Sequence, residues 1–260
     1  NLFLGSVDIP FRSIWNILLG MDEAESVIWQ NIIWKSRVPQ ALTALVAGAG
    51  LAVSGLQMQT VFRNPLAGPS VLGISSGASL GVAFVVLLSG SIGGIALSRL
   101  GFMGEIALTM AAIIGALSIM ALIVYVSQKV HGNVTLLIIG VMIGYVANAV
   151  IGVLKFFSVE EDIRAYVIWG LGSFARVSGN QMMVFVCIMA VLLPLSFLLI
   201  KTLNLLLLGD SYARNLGLNI KRARLQVIAC SGVLVAIVTA YCGGKVYKSH
   251  CTECWSIVGQ

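Results

Sequence analysis

The chain has 260 residues, of which 58% are hydrophobic and only 10% charged, with a formal net charge of +6 and a mean hydropathy of +0.99. A water-soluble surface usually carries about 25% charged residues, so this composition excludes an ordinary soluble domain and points to a surface that faces lipid or other buried helices. The basic excess reflects membrane topology, and nucleic-acid binding is a poor explanation for it.

Residues 1–37 are amphipathic and contain Trp15, Trp29 and Trp34. Tryptophan prefers the membrane interface, so this stretch is expected on the outer surface. No cleavable signal peptide is evident, and Asn1 is not a natural initiator, so the N-terminus is expected to be incomplete. Six uncharged runs follow, within 38–62, 69–98, 106–128, 132–154, 177–200 and 225–244. Each can cross a roughly 30 Å hydrocarbon core as a helix. Helices satisfy their own backbone groups in lipid, and the runs are too continuous for a membrane barrel. The expected fold is all-α and polytopic, with about six transmembrane helices in a membrane domain over 38–243.

Between the first two runs stands Arg63-Asn64-Pro65-Leu66-Ala67-Gly68-Pro69. Proline cannot continue a helix and biases the residue before it to extended backbone, so a tight turn is expected. Small residues then recur four apart: Gly73, Gly77 and Gly81; Ala107, Ala111 and Gly115; Gly140, Gly144, Asn148 and Gly152. Such stripes let membrane helices approach closely. The Asn148 amide needs a partner or water, which suggests a pore-facing side.

Residues 155–176 are polar, with Glu160, Glu161, Asp162, Arg164 and Arg176 beside an aromatic patch of Tyr166 and Trp169; a short surface helix is expected there. Residues 201–224 form the third polar region. Within it, Leu208 to Gly217 reads either as an ordinary loop or as a short amphipathic helix, with Asp210 as N-cap and Gly217 as C-terminal stop. Lys221, Arg222 and Arg224 would anchor the next helix at an anionic leaflet. With residues 1–37 outside, Lys and Arg split evenly between the two sides, whereas of the acids only Asp210 lies inside. The dense basic stretch from Lys201 to Arg224 is the best cytoplasmic marker.

These motifs, in this order, resemble the FecCD-type permeases of bacterial ABC importers for iron-siderophore, haem and cobalamin. The resemblance runs from about Gly5 to Gly243. It is carried by Arg37-Val38-Pro39-Gln40, by Gly48 to Gln59, and by Asn64-Pro65-Leu66-Ala67 with Gly73, Ser75, Ser76, Gly77 and Ala78. Tyr166 to Ser173 and Leu208-Gly209-Asp210 with Ala213, Leu216 and Gly217 complete it.

The resemblance implies a multi-pass protein of the bacterial inner membrane. Its partners would be a second permease copy, two cytoplasmic ATPases, a periplasmic or lipid-anchored substrate-binding protein and membrane lipid. ATP and magnesium would sit on the partner ATPase, with no cofactor, catalytic residue or metal in this chain. Leu208, Gly209, Asp210, Ala213, Leu216 and Gly217 would engage the ATPase. Arg37 would dock the binding protein, with Lys35 as a substitute because the family's second Arg is Gln40 here. Gly140, Met142, Gly144 and Asn148 would line the translocation path, and Gln59, Asn64, Pro65, Leu66, Gly73 and Gly77 would be structural. The six runs would be the second to seventh of ten helices, so this polypeptide alone is not expected to transport.

No phosphate-binding loop is present, since Gly243-Gly244-Lys245 lacks the upstream glycine and the hydroxyl residue. After Gly243 the resemblance stops. The 244–260 tail is expected to be a frameshift or assembly error, with a short metal-binding tail through His250, Cys251 and Cys254 as the alternative. Cys187, Cys230 and Cys242 are expected to be packed thiols without disulfides. Two other functions compete. An ion-coupled secondary transporter would place ionisable residues in its spans, and all six runs lack them. A non-transporting membrane scaffold is the other.

Overall fold

The computed structural model describes residues 9–18, 27–65, 67–68, 72–93, 102–130, 133–174, 177 and 179–244. Among these the fold is helical: α1 (Phe11–Leu18), α2 (Val27–Ile32), α3 (Val38–Phe62), α4 (Ile74–Gly93), α5 (Phe102–Lys129), α6 (Asn133–Phe156), α7 (Glu160–Leu171), α8 (Asn180–Phe197), α9 (Ile200–Leu207), α10 (Asp210–Asn215) and α11 (Ile220–Cys242). Leu66 and the tail from residue 245, with His250, Cys251 and Cys254, lie outside the described residues.

Among the described residues, four helices are long and apolar enough to cross a membrane, or five if the bent pair α8–α9 is one span. The expectation of about six is thus met in part. The remaining run is α4, whose Ile74–Leu88 segment is apolar but shorter. Its helical span starts at Ile74. The break between α8 and α9 bends the chain by 47°. Pro194 lies one turn before it and removes a helix donor. Leu198 and Leu199 then donate three residues back, to Leu195 O and Ser196 O, which tightens the chain into the bend.

The boundary expected at residue 37 falls inside a continuous helix, Ile28–Phe62. A π-helical stretch, Ile33–Arg37, joins α2 to α3, with Val38 N–H donating to Ile33 O. Pro39 follows at once in the first turn of α3. It has no N–H to return to the preceding turn, and the wider π turn accommodates that loss. Helix α1 packs on this region through Ile14, Ile33 and Trp29.

The core is built around α4 and α11. Helix α4 packs on α5, α6 and α7, and α11 packs on α3 and α5. Helix α11 is the most buried of the spans. At the α3–α11 crossing, Ser54 and Ser231 are fully buried, with their hydroxyls 2.8 Å apart. Interhelical hydrogen bonds in membranes couple by about 0.6 kcal/mol on average and ~1.7 kcal/mol at most. A double-mutant cycle of Ser54→Ala and Ser231→Ala, read by unfolding in detergent micelles, should return a coupling in that range.

Helix α7 forms where a short surface helix was expected, but its aromatic patch is not on the surface. Tyr166 and Trp169 are buried, and Lys155 Nζ stacks over the Tyr166 ring at 4.7 Å. Asp162 is buried in the first turn of α7, where desolvation and then neighbouring Glu161 push its carboxyl above the usual carboxylate range. The C-terminal end of α7 meets the end of α11: Ser173 N–H donates to Cys242 O at 3.0 Å. A Cβ on Gly243 would lie 2.6 Å from Gly172 Cα and 2.7 Å from Trp169 O. Of the thiols, Cys242 is buried and Cys230 partly so, but Cys187 is exposed on α8. The expectation of a packed thiol fails there, because Cys187 faces out of the helix bundle.

Candidate coupling site

The turn after α3 is built as its sequence demands. Arg63 closes the helix in the left-handed region, with φ 49°. That conformation costs a non-glycine residue about 1 kcal/mol or more, so surrounding bonds must hold it. Asn64 N–H donates to Gln59 O at 3.2 Å, the Gln59 side-chain amide donates to Pro65 O at 3.1 Å, and Ala67 N–H donates to Asn64 O at 3.0 Å. Gln59, Asn64 and Pro65 therefore act together as a structural clasp.

This clasp aims Arg63 at the short helices α9 and α10. Its guanidinium donates to Leu206 O at 3.3 Å and to Asp210 Oδ1 at 2.6 Å. Arg224, from the second turn of α11, donates to Asp210 Oδ2 at 2.7 Å. Each carboxylate oxygen thus has its own arginine. Two sequence expectations are corrected here. The N-cap of α10 is Gly209, and Asp210 makes no side-chain cap, because the two arginines hold its carboxylate. Arg224 is drawn from the lipid-anchoring role by that same bond. The signal was present in the sequence: Asp210 is the lone acid assigned to its side, among many cations.

Helix α10 is itself six residues long and lies between Gly209 (φ 108°) and Gly217 (φ 82°). Ala213 is fully buried and anchors the helix, and its carbonyl accepts from Leu218 N–H at 2.9 Å. Around it, Leu208, Tyr212 and Leu216 are 62%, 68% and 61% exposed. Three apolar side chains thus stand exposed on a polar connecting segment. Asp210 and Ala213 therefore lie within α10 and hold it to the bundle, whereas Leu208, Gly209, Leu216 and Gly217 flank it, with both leucines exposed.

The other singled-out residues divide. Gly73 (φ 71°) packs on α6, where its Cβ would lie 2.9 Å from Gly140 O and 3.1 Å from Gly144 N. Gly77 packs on Gly115, and Gly81 on Ala111 and Gly115. Gly140 and Gly144 are thus occupied by α4 and cannot line an open path. Met142 and Asn148 are exposed on other faces of α6. The Asn148 amide is satisfied at home, donating to Gly144 O at 2.9 Å. At the opposite end of α3, Arg37 is buried and Lys35 is exposed. Of the two expected docking residues, only Lys35 presents itself to a partner, because the π turn rotates Arg37 inward.

Residues 1–245 match the FecCD transport family. The chain belongs to that family. It is 35% identical over 241 residues to the hemin transport system permease protein HmuU of Yersinia pestis, covering 92% of this chain and 68% of that protein. It is 33% identical to the vitamin B12 import system permease protein BtuC of Pectobacterium atrosepticum, covering 86% of this chain and 63% of that one. The solved structure of a metal-chelate type ABC transporter in an inward-facing conformation superposes with a TM-score of 0.70 at 31% identity, covering 85% of this chain and 68% of its own. The chain therefore spans about two thirds of the length of the FecCD relatives it matches. These FecCD relatives are permease subunits, and the likeness extends over both the glycine-packed α4 region and the α9–α10 connection.

Proposed function

We propose that this chain is the membrane permease subunit of an ATP-driven importer for an iron-siderophore, haem or cobalamin. It sits in the bacterial inner membrane and works with a second permease copy, two cytoplasmic ATPases carrying ATP and magnesium, and an outer substrate-binding protein. The observation that carries this reading is the α10 tip: an exposed apolar face of Leu208, Tyr212 and Leu216 on a helix anchored through Ala213 and braced through Asp210. Such a face is suited to a cleft on a moving partner. Lys35, exposed at the other end of the bundle, would contribute charge to binding-protein docking, where charge sets register and on-rate more than affinity. Met142 and Asn148, both exposed on α6, are the residues of the expected path that remain open to line it.

The test is co-purification. The chain is co-expressed with the ATPase subunits of FecCD-type importers from its own source and extracted in mild detergent. Retention of the ATPase is the expected result. A chain that folds into the membrane yet retains no ATPase would contradict the reading, as would uptake driven by an ion gradient without ATP.

A further inference from the structure

Helix α10 is flanked by two glycines at positive φ, Gly209 and Gly217, and a Cβ at either would meet nothing within 4 Å. Both joints thus have open space where a side chain would stand. Ala213 holds the middle of α10 in the bundle, but a push on its outer residues would still rock the helix about the two joints. The ion cluster opposes that. Asp210 is the first residue of α10, directly after the first joint. Its two oxygens are held from opposite sides by Arg63, at the end of α3, and Arg224, in α11. Arg63 also grips Leu206 O, at the end of α9. One carboxylate therefore ties four helices together at the point where the chain would otherwise hinge.

An isolated ion pair at this exposure contributes little. This one differs in geometry. Both oxygens are used, the bonds are 2.6 and 2.7 Å, and Arg63 is preset by a left-handed backbone held through Gln59, Asn64 and Pro65. Charge-assisted bonds to a planar guanidinium are directional, so they resist rotation as well as separation.

We infer that Asp210 is a positioning residue that converts displacement of α10 into displacement of α3 and α11, with Arg63 and Arg224 as its two struts. This deepens the permease reading and rests on it. The partner touches Leu208, Tyr212 and Leu216, while Asp210 passes the movement inward. Helix α3 carries it to α11 through the Ser54–Ser231 contact.

The test uses spin-label distances on the chain in lipid nanodiscs. The first label pair is Ser211 on α10 and Leu56 on α3, both exposed. A single narrow distance is expected in the parent chain, broadened by Asp210→Asn and by Arg63→Gln, restored towards parental width in Asp210→Glu, and unbroadened in Arg214→Gln, a charge loss on the same helix outside the cluster. The second pair, Leu56 on α3 and Leu122 on α5, is read in the permease–ATPase complex before and after ATP is added. A nucleotide-driven shift is expected in the parent and lost in Asp210→Asn. An unchanged Ser211–Leu56 width in Asp210→Asn and Arg63→Gln, or a full ATP-driven shift in Asp210→Asn, would overturn the inference. If the parent chain binds no ATPase, the permease reading fails instead, and the first pair still decides whether the brace exists.

Discussion

Replacing Gly81 by leucine is expected to destabilise the protein by roughly 3 kcal/mol or more, the range of severe overpacking in a core. The contact it breaks is backbone against backbone. A Cβ at Gly81 would run into Ala111 O and lie 3.0 Å from Gly115 Cα. Across the seam, a Cβ at Gly115 would run into Gly77 O and lie 2.8 Å from Gly81 Cα. No flexible side chain is there to move aside, so α4 and α5 would have to separate. That separation would spread, because α4 also rests on α6 through Gly73 and on α7 and α11. Alanine at Gly81 should be costly too, at about 1–3 kcal/mol. Gly152 provides the contrast. It lies in a similar stripe, but a Cβ there meets nothing within 4 Å, so Gly152→Ala should be neutral or gain up to about 1 kcal/mol in helix propensity. Thermal unfolding of the purified chain in detergent micelles checks all three. A melting temperature for Gly81→Leu equal to that of the parent would refute the packing argument.

The same pair of glycines shows what one sequence can and cannot convey. The four-residue spacing of Gly73, Gly77 and Gly81 marked close packing: Gly77 and Gly81 form the seam with α5, whereas Gly73, just before α4, packs on α6. The spacing of Gly140, Gly144, Asn148 and Gly152 is equally regular, yet only the first two are buried against a neighbour. Periodicity fixes which residues share a helix face; it does not say what lies opposite. Helix existence was legible because uncharged runs in a membrane have few alternatives. Helix starts were less so: α4 begins at Ile74, whereas an uncharged run gives no mark of where within it a helix starts. The π turn before Pro39 was not legible, nor was the burial of Arg37 within it beside an exposed Lys35. At the coupling segment the apolar positions, the final glycine and the short helix could be read locally. The partners of Asp210 could not, since they come from residues 147 positions earlier and 14 later. Capping is a local rule, and a pair of arginines from distant helices outcompeted it.

The second large effect is expected at the α10 tip. Leu208→Asp combined with Leu216→Asp should weaken association with the ATPase by at least about 30-fold, the equivalent of ~2 kcal/mol for a central contact residue. Both side chains are more than half exposed in the chain itself, so they contribute little to its own core, and the variant should reach the membrane and unfold at close to the parental temperature. In a complex they would be buried, and each aspartate would bring an unpaired carboxylate into that contact. Desolvating such a charge costs more than the lost apolar area. Ala213→Asp should behave differently. Ala213 is fully buried between α10 and the bundle, so its replacement disturbs the fold of the segment and lowers thermal stability along with association. The two variants therefore separate a contact surface from its support. Affinity of the purified ATPase for each variant, measured in nanodiscs alongside the melting temperature, distinguishes them. Parental affinity in the Leu208 and Leu216 double variant would show that the exposed tip is not where the ATPase binds, and would move the search for its contact to another face of the bundle.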